Sequence, residues 1–244
     1  MELDPAARVA GARRAERNLD LTRRLVAEAL GSALLLVAVI GSGIMAAGLS
    51  PGDVGLQLLE NAAATAGALI GLILMFEAVS GAHFNPVVTL VERAFGFISA
   101  RDTGLYVAAQ TVGACVGAVL ANVMFELPAI EFSTQTRSSP ALWLSEVVAT
   151  IGLLLVINGC VRSGRSSAVP FAVGAWIGGA YFFTSSTSFA NPAVTVARTL
   201  SDTFAGIRPS SAPAFIVSQM IGAVIAIGLI RLFYPHKVES PDDN

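Results

Sequence analysis

Charge is scarce in this chain of 244 residues: Asp, Glu, Lys and Arg together make up 13%, against about 25% in an ordinary soluble domain. That scarcity argues against a water-soluble fold. Histidine and cysteine are scarcer still, with two of each. His83 and His236 have no metal-site spacing and no nucleophile–base pair is visible, so no enzyme, cofactor or metal is expected. Cys115 and Cys160 each stand alone in an apolar run and read as small buried hydrophobes rather than a disulfide. Aromatics are few, at 7%, and the net charge is −2. Without a basic patch interleaved with aromatics, nucleic acid is not an expected partner.

What the chain does have is apolar sequence: 54% of its residues are hydrophobic, and its mean hydropathy is +0.69. A membrane span takes roughly 20 mostly apolar residues. Six segments qualify: 25–48, 56–79, 103–125, 141–161, 168–184 and 212–234. Small residues recur in all of them, Gly113 and Gly117 among them. They let helices approach closely where the hydrophobic effect cannot drive association. The fold class expected is an all-α membrane protein.

Residues 1–24 are polar and hold six arginines. The apolar run behind them is too long for a signal peptide, so they read as a cytoplasmic tail. With the N terminus inside, the cytoplasmic segments add Arg93, Arg101, Arg162, Arg165, Arg231 and Lys237 to those six, against Arg137, Arg198 and Arg208 outside. The bias of twelve to three keeps both termini in the cytoplasm. The expected layout is a tail at 1–24, a membrane domain at 25–234 and a second tail at 235–244.

Two further segments, 85–97 and 191–201, are apolar but too short to span. About ten helical residues cover roughly 15 Å, half a hydrocarbon core, so both are candidate re-entrant half-helices. They belong to a repeat of about 25–125 and 141–234. Glu28 opens the first span and Glu146 the fourth, Asn-Pro-x-Val-Thr follows the second and fifth spans, and Gln110 is echoed by Gln219. Three spans per half insert the second half upside down. Inverted repeats place their working site near the midplane, where irregular backbone survives only if it is buried or lines a wet cavity.

Asparagine caps helices and proline suits their first position. Asn85-Pro86 and Asn191-Pro192 therefore read as two half-helix starts. If each carbonyl oxygen caps its own helix, each carboxamide NH2 remains as a donor. Two such donors and two positive helix ends meeting in one lumen favour neutral solutes that accept hydrogen bonds, and repel cations. For Glu28 and Glu146 there are two readings, ion coupling or acceptance of backbone N–H groups from the half-helix loops. Their symmetric placement favours the second. Glu77 has no counterpart and reads as exposed near the cytoplasmic end of its span. His83 reads as loop support.

These features together resemble the aquaporin and aquaglyceroporin family over residues 25 to about 234. The resemblance rests on Glu28, Glu146, the two glutamines, SGAHFNPVVTL (80–90) and SFANPAVT (188–195). It implies six transmembrane helices and two half-helices in two inverted repeats, one pore per subunit and a homotetramer. Asn85 and Asn191 match the family's permeant-binding asparagines, and Glu28 and Glu146 its loop anchors.

Two departures stand out. Val87 replaces the usual alanine of the first motif, whereas the second keeps Ala193. After Ala193, Val194 stands where most members carry the selectivity-filter arginine. Family spacing assigns the remaining filter positions to Thr65, Gly179 and Ser188, which makes a small, wide and uncharged filter. Arg198, one turn beyond Val194, reads as a solvated external arginine. A bacterial subgroup linked to arsenic-resistance gene clusters has similar motifs.

The expectation is a passive channel in the bacterial inner membrane for small neutral solutes: water, glycerol and arsenite-like hydroxides. The alternative is a secondary transporter, which inverted repeats also build, coupled through Glu28, Glu146 or Glu77. An adhesion role ranks last, because the external loops are modest.

Overall fold

A computed structural model describes residues 5–235, with side chains from Asp20 onward. The helices are α1 (Pro5–Leu49), α2 (Val54–Ser80), α3 (Pro86–Ala94), α4 (Ala100–Met124), α5 (Pro140–Arg162), α6 (Val169–Phe183), α7 (Pro192–Ala197) and α8 (Ala212–Phe233). Six helical segments are long and apolar enough to cross a membrane: Asp20–Leu49, Val54–Ser80, Ala100–Met124, Pro140–Arg162, Ser166–Phe183 and Pro209–Phe233. They agree with the six expected spans to within about five residues. The polar stretch before residue 25 continues the helix of the first span from Pro5. His236 and Lys237, and with them nearly all of the expected C-terminal tail, lie outside the described residues.

The helices start and stop for local reasons. Asp53, Ser99 and Ser139 each accept a first-turn backbone N–H and cap α2, α4 and α5. At the end of α2, Gly81 takes a left-handed conformation (φ 87°) and its N–H returns to Glu77 O. The outward-facing side chains are apolar, Val112, Val224 and Leu232 among them. Such a surface suits lipid, where burial of apolar groups inside the bundle gains nothing over exposure.

The two halves pack alike. α1 lies against α4 and α2, and α5 lies against α8 and α6; α2 and α6 join the halves. The tightest crossings use the small residues. A Cβ added to Gly113 would sit 2.0 Å from Ala29 O, and one added to Gly117 would sit 2.1 Å from Ala33 O. The equivalent crossing of α5 and α8 holds Gly222 close to Val147 O and Thr150. Backbone cannot yield as a side chain can. Gly117→Val is therefore expected to force α1 from α4, turning a monodisperse peak on size-exclusion chromatography into aggregate. Gly104→Ala, with open space around its Cβ, leaves the peak unchanged.

Both short segments form short helices whose N termini meet inside the bundle; α3 has nine residues, whereas α7 has six and is continued by a 3-10 turn at Arg198–Leu200. α3 packs on α4 and α8, and α7 packs on α4 and α8 as well. We refer to the face where α1 enters the bundle and α8 leaves it as the terminal face, and to the opposite one as the far face. α3 turns back toward the terminal face and α7 toward the far face. The 125–139 connection covers α7 on the far side, with Glu131 N donating to Leu200 O, Ser133 N to Thr199 O and Arg208 N to Gln135 O.

Candidate functional site

The centre of the molecule is built from two copies of one hydrogen-bond unit. Asn85 Oδ1 accepts from Val87 N at 3.0 Å, and Asn191 Oδ1 accepts from Ala193 N and Val194 N at 3.0 and 3.2 Å. Pro86 and Pro192 occupy the first helical positions, where no N–H is needed. Each carboxamide then crosses to the other repeat. Asn85 Nδ2 donates to Ala190 O, and Asn191 Nδ2 donates to Phe84 O, both at 2.8 Å. One hydrogen of each NH2 is committed in this way, which leaves the second for the cavity that both side chains line.

The carbonyls that receive those bonds come from strained backbone. Phe84 and Ala190 have φ of 48° and 46°, and Ala82 and Ser188 have 49° and 53°. Such left-handed conformations are costly for residues with a Cβ and need surroundings that fix them. Two fully buried carboxylates supply the restraint. Glu28 accepts from His83 N, Phe84 N, Ser80 Oγ and Gln110 Nε2 at 3.0, 2.8, 2.6 and 2.7 Å. Glu146 accepts from Phe189 N, Ala190 N and Gln219 Nε2 at 2.9, 2.9 and 2.6 Å.

The glutamines extend the unit. Gln110 and Gln219 each donate a second bond, at 2.9 Å, to the motif threonines Thr89 and Thr195. Those hydroxyls donate in turn to the carbonyls of Asn85 and Asn191. The repeat of Glu, Gln, Asn and Thr in the sequence is thus one network, written twice. The sequence pairs the glutamines and threonines by position without assigning them a task.

One cavity of about 150 Å³ runs past both asparagines. Its walls are ladders at every fourth residue, as a straight helix face requires. α2 contributes Thr65, Leu69, Ile73 and Glu77, and α6 contributes Val169, Val173, Ile177 and Tyr181. Leu153, Ile157 and Val161 line it from α5, and Leu35 and Val39 from α1. Apolar walls with a few placed polar groups are the usual build of a small-solute site.

The polar groups cluster at the middle and the two ends. At the terminal face stand Glu77, which is exposed, and His83, whose Nδ1 lies 3.0 Å from Thr89 Oγ1. His83 supports its loop through that contact and lines the cavity as well. At the far-face end, Tyr181 Oη donates to Thr65 Oγ1 at 3.2 Å. The Ser188 hydroxyl is buried there without a partner among the described residues.

Thr65, Ser188 and Val194 all line the cavity; Gly179 does not. It is exposed on the outer side of α6, two residues off the ladder, and Tyr181 holds the wall position. The count of twelve back from Asn191 crosses the 184–190 loop, where helical periodicity is lost. With Tyr181 in that wall, the expectation of a filter built only of small side chains fails as well.

Arg198 is a second correction. It is 2% exposed and lines the cavity, rather than reaching into solvent. Its Nε donates to Ala205 O, and its guanidinium lies 3.4 Å from the centre of the Phe189 ring. Arg137 approaches that ring at 5.3 Å and donates from Nε to Gly206 O. Burial pulls the Arg137 guanidinium below its ordinary range, and the Glu146 carboxylate opposes that shift. Of the motif residues off the cavity, Val87 is fully buried against Leu154 and Ala223, and Ala193 packs in the central apolar cluster. No group of three or more metal-ligating side chains occurs among the described residues.

Comparison with known proteins agrees with this geometry. The model of the family described as "Major intrinsic protein" matches residues 15–188 and 147–242. Aquaglyceroporin AqpS of Rhizobium meliloti is 49% identical over 215 residues, which cover 88% of this chain and 91% of that one. Aquaporin Z of Bradyrhizobium diazoefficiens is 32% identical over 167 residues, covering 62% and 68%. The X-ray structure of the aquaglyceroporin from Plasmodium falciparum superposes with a TM-score of 0.68, over 87% of this chain and 99% of that one. At 22% identity, that likeness speaks for the fold alone. The family model, the relatives and the six apolar helices agree: the chain is a multi-pass membrane protein of the major intrinsic protein family, whose aquaporins and aquaglyceroporins are channels and not enzymes.

Proposed function

We propose that the chain is a passive, water- and glycerol-conducting channel whose outer constriction is wide enough for other small neutral solutes, arsenite-like hydroxides included. One observation carries the reading: the cavity passes two asparagine donors at its centre, while both buried carboxylates are fully engaged as loop anchors. Glu28 accepts four hydrogen bonds and Glu146 three. Neither is free to bind and release an ion with each transport cycle. The name of the Rhizobium relative, an aquaglyceroporin, supports a glycerol-sized range.

In this reading Thr65, Tyr181, Ser188 and Val194 form the constriction toward the far face, which is the external side. The positive-inside bias supports cytoplasmic termini and the division into tails at 1–24 and 235–244 around the channel domain, and the bacterial relatives support an inner-membrane location. Assembly as a homotetramer follows the family's habit.

Swelling of proteoliposomes in water, glycerol, urea and arsenite gradients tests the range. We expect glycerol and arsenite to equilibrate well above the rate of protein-free liposomes. Water flux alone, with glycerol at the protein-free rate, contradicts a wide constriction.

A further inference from the structure

Arg198 does something that its position in the sequence conceals. A guanidinium is normally either solvated or paired with a carboxylate. This one is 2% exposed, and among the described residues it makes no ion pair. Its Nε is held by Ala205 O and its Cζ lies over the Phe189 ring. Neither terminal nitrogen donates to another described residue, and the side chain forms part of the cavity wall.

We propose that Arg198 is the cation barrier of this pore, a guanidinium set one helical turn beyond Val194 that keeps sodium ions and protons out while leaving room for neutral solutes. The inference rests on the channel reading above. Its basis is electrostatic: a fixed charge beside a narrow, low-dielectric lumen acts on a passing ion far more strongly than the same charge in water.

The other charged groups of the outer half do not cancel it. Arg137 also approaches the Phe189 ring, 5.3 Å from its centre, and adds a like charge. Glu146 shares this half, but its oxygens are turned to Phe189 N, Ala190 N and Gln219 Nε2. One buried and one half-buried cation thus stand beside Glu146, a carboxylate that is already satisfied. Phe189 holds the guanidinium through a cation–π contact and is itself locked edge-on against Phe215, with ring centres 5.1 Å apart. With the charge one turn farther out, the wall formed by Val194, Thr65, Tyr181 and Ser188 stays uncharged. Neutral solutes then meet a hydroxyl-bearing wall while an ion meets a barrier.

The test is a pair of measurements on one set of proteoliposomes: glycerol swelling, and sodium and proton flux under a clamped potential. Wild-type protein is expected to swell and to exclude both cations. Arg198→Gln is expected to raise cation flux at least about tenfold while its glycerol swelling stays above that of protein-free liposomes. Arg198→Lys, which keeps the charge, retains exclusion, and adding Val194→Arg to Arg198→Gln restores it. Arg198→Gln protein that swells and still excludes cations overturns the proposal. So does wild-type protein that leaks sodium, a result needing no variant to fold. Wild-type protein that does not swell at all contradicts the channel reading and takes this proposal with it.

Discussion

Val194→Arg is expected to lower glycerol and urea permeation at least about tenfold and water permeation less than about threefold, on the scale at which a pocket discriminates by a few atoms. Val194 is 5% exposed and lines the cavity one turn inward of Arg198. An arginine there adds volume and a fork of donors beside Thr65, Tyr181 and Ser188. Water is small enough to pass a constriction that glycerol fills. Two companions locate the wall. Tyr181→Ala removes an aromatic and the hydroxyl bonded to Thr65, and is expected to speed urea and glycerol. Gly179→Ala, on the exposed face of α6, leaves every rate unchanged. Stopped-flow swelling reads all three, and equal losses of water and glycerol in Val194→Arg contradict the constriction.

Glu146→Ala is expected to abolish permeation of every solute. The substitution strands Phe189 N, Ala190 N and one Gln219 amide hydrogen in a fully buried site. Hydrogen bonds to a charged group are worth about 1.5–3 kcal/mol each, and buried unmet donors carry their desolvation penalty in full. The sum rivals the whole stability of an ordinary domain. The left-handed Ser188 and Ala190 lose their restraint at the same time. Carbonyl alignment with Asn85 then fails, because Ala190 O is the acceptor of that side chain. Glu146→Gln keeps an acceptor but turns an NH2 toward one of the donors, so an intermediate loss is expected. Thermal unfolding of the detergent-solubilised protein checks the order: wild type highest, Glu146→Gln lower, Glu146→Ala lowest. Glu77→Gln, at the exposed terminal-face end of the cavity, leaves the midpoint in place.

Much of this arrangement is legible in the chain itself. Apolar length marks the six spans, and half-length apolar runs opened by Asn-Pro mark α3 and α7, because capping is a local property of a few residues. The anchoring role of Glu28 and Glu146 follows from a buried carboxylate repeated once per half. Three features escape a linear reading. The wall position on α6 is set by the helix face, and the stripe Val169, Val173, Ile177, Tyr181 is visible at a spacing of four. Counting back from Asn191 misses it, because the intervening loop, with Thr187, Ser188 and Ala190 all at positive φ, has no fixed rise per residue. The burial of Arg198 depends on Phe189, Ala205 and the 125–139 connection closing over α7. Those are contacts between segments, and no local pattern announces them. The carboxamide bonds from each asparagine to the opposite repeat are of the same kind.

Solute movement under an imposed gradient tests the central claim, passive conduction, most directly. Proteoliposomes loaded at equal glycerol inside and out are given a pH or sodium gradient, and internal glycerol is followed with time. A passive channel with its carboxylates committed to structure leaves internal glycerol at the external concentration, whatever the ion gradient. An outward glycerol gradient imposed afterwards collapses at a rate independent of pH and sodium. Accumulation of glycerol above the external concentration, driven by either ion, contradicts the account and makes one of the three glutamates, Glu28, Glu77 or Glu146, a coupling group.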